Sequence, residues 1–140
     1  MKRIVLLLAA MLCLPQGAAA QSQIGQDIDG EAAEDLSGRS VSLSADGNRM
    51  AIGAEGNDGN GGESGHVRIY ELSGNTWIQL GQDIDGEAAG DYSGKSVSLS
   101  ADGTRVAIGA IYNDGNGVGA GHVRIYELSG NTWIQLGQDI

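Results

Sequence analysis

The residues best suited to chemistry are acids set at intervals around a glycine, and they occur twice. Asp27, Asp29, Glu31 and Asp35 flank Gly30; Asp83, Asp85, Glu87 and Asp91 flank Gly86. Carboxylates at alternate positions around a turn can converge on one hard cation, which takes six to eight oxygens, so both loops are candidate calcium sites. The competing reading is an exposed acidic loop whose charge keeps the protein soluble. The spacing is not that of an EF-hand loop. Asn57-Asp58-Gly59-Asn60-Gly61 and Asn113-Asp114-Gly115-Asn116-Gly117 also carry oxygens, but left-handed turns need just these residue types.

Catalytic patterns fare worse. Gly94-Lys95-Ser96 resembles the end of a phosphate loop, yet Ala89 stands where the upstream glycine is required and the first copy has Arg39 for Lys95. A strand pattern follows it, where a phosphate cradle needs a helix N-terminus. The run Gly115, Gly117, Gly119, Gly121 has no helix after it and reads as a loop. His66 and His122 are the chain's two histidines, and Ser64 beside the first becomes Ala120 beside the second, which breaks any nucleophile–base pairing. Both read as structural residues at strand ends. Two histidines 56 residues apart with no mature cysteine do not form a zinc-ligand spacing. The expectation is a protein that is not an enzyme, with no catalytic residues and no cofactor other than calcium.

The elements that position these loops follow from a repeat. Residues 25–80 align with 81–136 without a gap, 46 of 56 positions being identical, and a third copy begins at Gly137-Gln138-Asp139-Ile140. A period of this size signals a supersecondary unit stacked on the next. Four strands are predicted in each unit. Ser40–Ser44 alternates polar and apolar residues; Asp46-Gly47 favours a tight hairpin; Arg49–Ala54 returns. His66–Leu72, rich in β-branched and aromatic residues, is the third. Ser73-Gly74-Asn75 turns the chain into Thr76–Leu80, the fourth. Two connections are long, 55–65 within the unit and 81–94 between units. Four antiparallel strands per unit describe a β-propeller blade; a sandwich or a solenoid is the alternative, although solenoid coils run to roughly 20–30 residues.

Composition agrees. The 24 glycines in 140 residues argue against a helical bundle, since each helical Gly costs about 1 kcal/mol relative to Ala. A net charge of −10 argues against binding nucleic acid or an anionic membrane. Met1-Lys2-Arg3, the apolar run from Ile4 to Leu14, and Gly17-Ala18-Ala19-Ala20 read as a secretory signal peptide over residues 1–20, cut after Ala20. The apolar run is too short for a membrane span, which needs about 18 residues or more. Cys13 leaves with that segment, so the mature chain holds no disulfide and has no membrane insertion after cleavage. Its organisation is then a first blade at 21–80, a second at 81–136 and the start of a third at 137–140.

Ser37-Gly38-Arg39-Ser40-Val41, Ile52-Gly53-Ala54 and Gly65-His66-Val67-Arg68-Ile69-Tyr70 resemble FG-GAP repeats, the blades of integrin α-chain propellers and of many secreted bacterial proteins. Ser93-Gly94-Lys95-Ser96-Val97, Ile108-Gly109-Ala110 and Gly121-His122-Val123-Arg124-Ile125-Tyr126 repeat the set. Ser37 and Ser93 stand where Phe is usual, and Glu55 and Ile111 replace the Pro. The resemblance covers essentially the whole mature chain and implies a propeller fold. The calcium loop usual in that family lies between its FG and GAP elements, a stretch reduced here to Ser44-Ala45-Asp46-Gly47-Asn48, so that site does not carry over. Because propellers typically use four to eight blades, two blades are expected to belong to a larger β-propeller or to self-associate through open faces.

The functional expectation is a secreted, cell-surface or periplasmic, non-catalytic repeat module for adhesion or for binding an extracellular protein or glycan ligand. Its contact positions would be those that differ between copies: Glu34/Gly90, Leu36/Tyr92, Gly56/Tyr112 and Glu63/Gly119. The alternative is a propeller hydrolase or lyase with its site in copy-specific loops or in further blades.

Overall fold

A computed structural model describes residues 21–140; the signal-peptide reading falls on residues 1–20 and lies outside the described residues. The described chain is all-β, and among the described residues no helix is long and apolar enough to cross a membrane. The first sheet contains β1 (Ser40–Leu43), β2 (Arg49–Ala54), β3 (His66–Ser73) and β4 (Thr76–Gln79) in antiparallel sequence order. A two-residue strand, β5 (Ile84–Asp85), joins it on β3. The second sheet repeats the plan with β6 (Ser93–Leu99), β7 (Arg105–Ala110), β8 (His122–Ser129) and β9 (Thr132–Gln135). The registers match copy for copy: Ala51 faces Ile69 as Ala107 faces Ile125, and Leu72 faces Trp77 as Leu128 faces Trp133.

The Asp-Gly hairpins close as their residue types demand. Asp46 Oδ1 accepts hydrogen bonds from Ser44 Oγ (2.6 Å) and Asn48 N (3.0 Å), and Asp102 Oδ1 accepts from Ser100 Oγ (2.6 Å) and Thr104 N (3.0 Å). Each aspartate thereby locks the two-strand turn that starts its blade.

Two local expectations need correction. The stretch 81–94 is not one long loop: Ile84 and Asp85 pair with Val67 and His66, continuing the edge that β4 began. Strand β6 also starts earlier than β1, at Ser93, with a bulge between Ser93 and Ser96. The reason is a neighbour, for Ser93 bridges to Gly65 of the first blade, whereas Ser37 has no such bridge among the described residues.

The core lies between the sheets. Ala51, Val67, Ile69 and Ile84 of the first blade meet Leu99, Val106, Ile108, Tyr126 and Trp133 of the second in one buried cluster. Strand β6 is stitched across by Ser40 Oγ donating to Gly94 O (2.7 Å) and Leu99 N donating to Ser42 Oγ (3.0 Å). Glu55, buried beneath, pairs with Lys95 of the second blade at 2.7 Å and with Arg39 of its own at 3.1 Å. Identical residues thus have different fates. Val67 is 0% exposed and its equivalent Val123 38%; Leu99 is 8% exposed and its equivalent Leu43 56%.

The linkers are tied on both sides. Trp133 Nε1 donates to Leu80 O (2.8 Å), while Gln82 exchanges hydrogen bonds with the Trp133 backbone. Trp77 makes the same bonds to Ile24 O and Gln26.

Candidate metal centre

The acidic linkers arrive at each blade from two directions. The linker ahead of the first blade is held by Arg68, whose Nη2 donates to Asp29 O (2.8 Å). That grip brings Glu31 to the start of β3. The linker behind the blade pairs along β3 through Ile84, which brings Asp83 to the same place. Between them stands His66, the first residue of β3. Its Nδ1 lies 3.8 Å from Glu31 Oε2 and 3.9 Å from Asp83 Oδ2.

The second blade repeats the arrangement. Arg124 Nη2 donates to Asp85 O (2.7 Å), and His122 Nδ1 lies 3.7 Å from Glu87 Oε2 and 3.5 Å from Asp139 Oδ2. Val123 exchanges backbone hydrogen bonds with Ile140, the counterpart of Ile84. A cavity of about 290 Å³, lined by Asn113, Asn116, Gly121, His122, Asp139 and others, opens beside this second cluster.

These two groups of three are the sets of His, Cys, Asp and Glu able to share a metal ion among the described residues, all donor atoms of a set lying within 4.8 Å of one another. Of the eight acids read as calcium ligands, Glu31 and Asp83 meet at the first cluster and Glu87 enters the second. The others sit apart from them. Asp35 is buried and accepts from Ala32 N (3.0 Å) and Asn57 Nδ2 (3.1 Å); Asp91 accepts from Ala88 N (3.1 Å) and Asn113 Nδ2 (2.8 Å). Both are struts of their loops. Asp27 accepts from Gln23 Nε2 (2.8 Å), and Asp29 and Asp85 contribute their carbonyls to the arginines. The Asn-Asp-Gly loops close on themselves, with Asn57 Oδ1 accepting from Gly59 N (2.8 Å) and Asp58 Oδ1 from Glu63 N (2.8 Å).

Sequence reasoning placed His66 and His122 at strand ends but missed their acidic partners. Spacing along the chain could not reveal a set whose members lie 35 and 17 residues apart on three elements. The available signal was the recurrence of one histidine and one acidic linker per repeat.

At the loop end of the blades the copy-specific residues gather. The Tyr92 and Tyr112 rings meet edge to face with centroids 5.5 Å apart. Tyr92 N donates to Glu63 O (3.1 Å), and a hydrogen bond to the Glu63 carboxylate, with partial burial, raises the Tyr92 phenol above its ordinary range. Leu36 and Tyr92 both hold positive φ, at 56° and 55°, so the left-handed turn belongs to both copies while the ring pair belongs to the second alone.

Two consecutive four-stranded antiparallel sheets, packed face to face and joined by pinned linkers, define a propeller-type repeat protein. The FG-GAP repeat family matches residues 28–70 and 84–126, and the chain belongs to that family. The comparison with curated proteins gives no match. Each matched segment starts at the linker isoleucine and ends in the third strand of its blade. Glu31 and His66 therefore fall inside the first segment, and Asp83 lies between the two.

Proposed function

We propose that this chain is an exported, non-catalytic FG-GAP module for adhesion or ligand binding, which recognises an extracellular protein or glycan with the loop end of its blades. The observation that carries the reading is the Tyr92–Tyr112 pair. Ten positions distinguish the copies, and two of them place adjoining aromatic rings on a rim where the first copy has Leu36 and Gly56. Tyrosine supplies large, rigid contact area with a polar tip, and such residues anchor interfaces. Tyr112 is 55% exposed, so the pair is open to a partner. Fold alone does not fix function, which is why the reading rests on the rim.

The test uses immobilised glycans and matrix-type proteins as probes, with the mature chain and a Tyr92→Ser/Tyr112→Ser variant. The expected result is retention of one probe class by the mature chain and a loss of roughly tenfold or more in the variant, the scale of a lost anchor. Equal retention by both proteins, or retention of nothing, overturns the reading. Turnover on a glycosidase and esterase panel, abolished by a loop substitution, would establish the enzyme alternative. Export is checked separately by the mass of the secreted product, which should begin at Gln21.

A further inference from the structure

We propose that Glu31, His66 and Asp83 bind a divalent transition metal of the zinc class, and that Glu87, His122 and Asp139 bind a second ion in the same way. The side chain of His66 is 1% exposed. Neither of its ring nitrogens has a hydrogen-bond partner among the described residues, although Nδ1 faces two carboxylates. A buried polar group without a partner is costly, and native structures seldom leave one unexplained.

Separation distinguishes a direct ion pair from a bridging ion. A charged imidazole bonded directly to carboxylate would close to about 2.7–2.9 Å. Donor atoms around a tetrahedral ion with bonds of 2.0–2.1 Å stand roughly 3.3 Å from one another. The observed separations of 3.8 and 3.9 Å in the first cluster, and 3.7 and 3.5 Å in the second, lie on the side of a bridging ion.

The supporting contacts fit as well. Asp139 commits Oδ1 to Gln135 Nε2 (2.7 Å) and turns Oδ2 to His122; Asp83 does the same with Gln79 Nε2 and His66. Arg68 Nη1 lies 3.6 Å from Glu31 Oε1 and leaves Oε2 to face His66, as Arg124 does with Glu87 at 3.7 Å. The two aspartates therefore have one oxygen held by a hydrogen bond and one presented, the outer-shell pattern that orients metal ligands, while Glu31 and Glu87 each turn one oxygen toward an arginine. Each arginine also cancels part of the negative charge, which weakens the site. In the second cluster Asn113 Nδ2 donates to Glu87 Oε2 at 3.2 Å, so that site should be the weaker of the two. An imidazole nitrogen among the donors selects a borderline metal over calcium, which prefers oxygen throughout. Three protein ligands leave a fourth position for water or for an outside group.

The inference is independent of the rim reading and is tested by titrating Co²⁺ into the metal-free mature chain. Tetrahedral Co²⁺ absorption should saturate at two ions per chain and be displaced by Zn²⁺. His66→Gln should remove one equivalent and His66→Gln/His122→Gln both. Because His66 is buried, Asp83→Asn is the second variant: its thermal midpoint without metal should be unchanged and its first-site affinity at least tenfold lower. Three results would each overturn the proposal: no uptake of Co²⁺ or Zn²⁺ by folded protein, uptake that survives the double histidine variant, or stabilisation by Ca²⁺ alone.

Discussion

Asp102 closes the turn of the second blade with an exposed carboxylate, and three hydrogen bonds converge on its Oδ1, from Ser100 Oγ, Thr104 N and Thr104 Oγ1. The Ser100 hydroxyl, followed by the Thr104 amide and hydroxyl, lowers its pKa from 3.8 to about 2. A carboxyl depressed on folding stabilises the native state fully above its unfolded value, and the contribution is lost as pH falls through the folded value. The window here therefore runs from about pH 4 down to about pH 2. Asp102→Asn should lower the urea midpoint at pH 6, and the gap from the parent should close on acidification through that window. Asp46→Asn should behave alike, since Ser44 and Asn48 lower that carboxyl in the same direction. A gap that stays constant from pH 6 to pH 2 would mean that turn geometry, not charge, accounts for the loss.

At the scale of the strands, the blades meet where β6 crosses β1 and β2, and one glycine sets how closely. A Cβ at Gly53 would collide with the Gly94 carbonyl and with Ser40 Oγ, which cannot swing aside without losing its bond to Gly94 O. At Gly109 a Cβ would meet Ser96 Oγ alone at close range, and that hydroxyl is free to rotate. Gly53→Ala should then cost about 1–3 kcal/mol and Gly109→Ala less than about 1 kcal/mol, read as urea midpoints at unchanged m-value. Equal losses would show that the blade contact is looser than described. The sequence alone could not distinguish these glycines, which occupy equivalent positions in near-identical copies. The strands themselves were legible because alternation and Asp-Gly turns are local signals: β2 keeps its expected bounds and β1, β3 and β4 shift by one residue. Strand β5 was not, because two residues carry no periodicity and only their pairing with His66 and Val67 makes them a strand. The His66 cluster was hidden for the same reason, being assembled by a linker that reaches back to a strand 17 residues earlier.

For the whole molecule, near-identity of the copies turns an internal contact into a prediction about association. The front of the second blade, with Val97 and Leu99, is complementary to the back of the first, with Val67. The front of the first blade presents the same chemistry in Val41 and Leu43, and the back of the second presents it in Val123; all three are exposed. Where the backs differ, Ile111 replaces Glu55, so the open back is the more apolar of the two. One copy should therefore dock its front on the back of another, a heterologous contact that propagates unless its rotation closes a ring. The net charge of −10 opposes association, and salt should promote it. In sedimentation velocity the mean coefficient should rise with concentration, and Leu43→Lys or Val123→Lys should each hold the chain as monomer. Mixing the two variants separates this geometry from a symmetric one. The Leu43→Lys chain keeps an intact back and the Val123→Lys chain an intact front, so together they should form dimers and nothing larger. Dimers of either variant by itself, or a mixture that stays monomeric, would reject front-to-back docking.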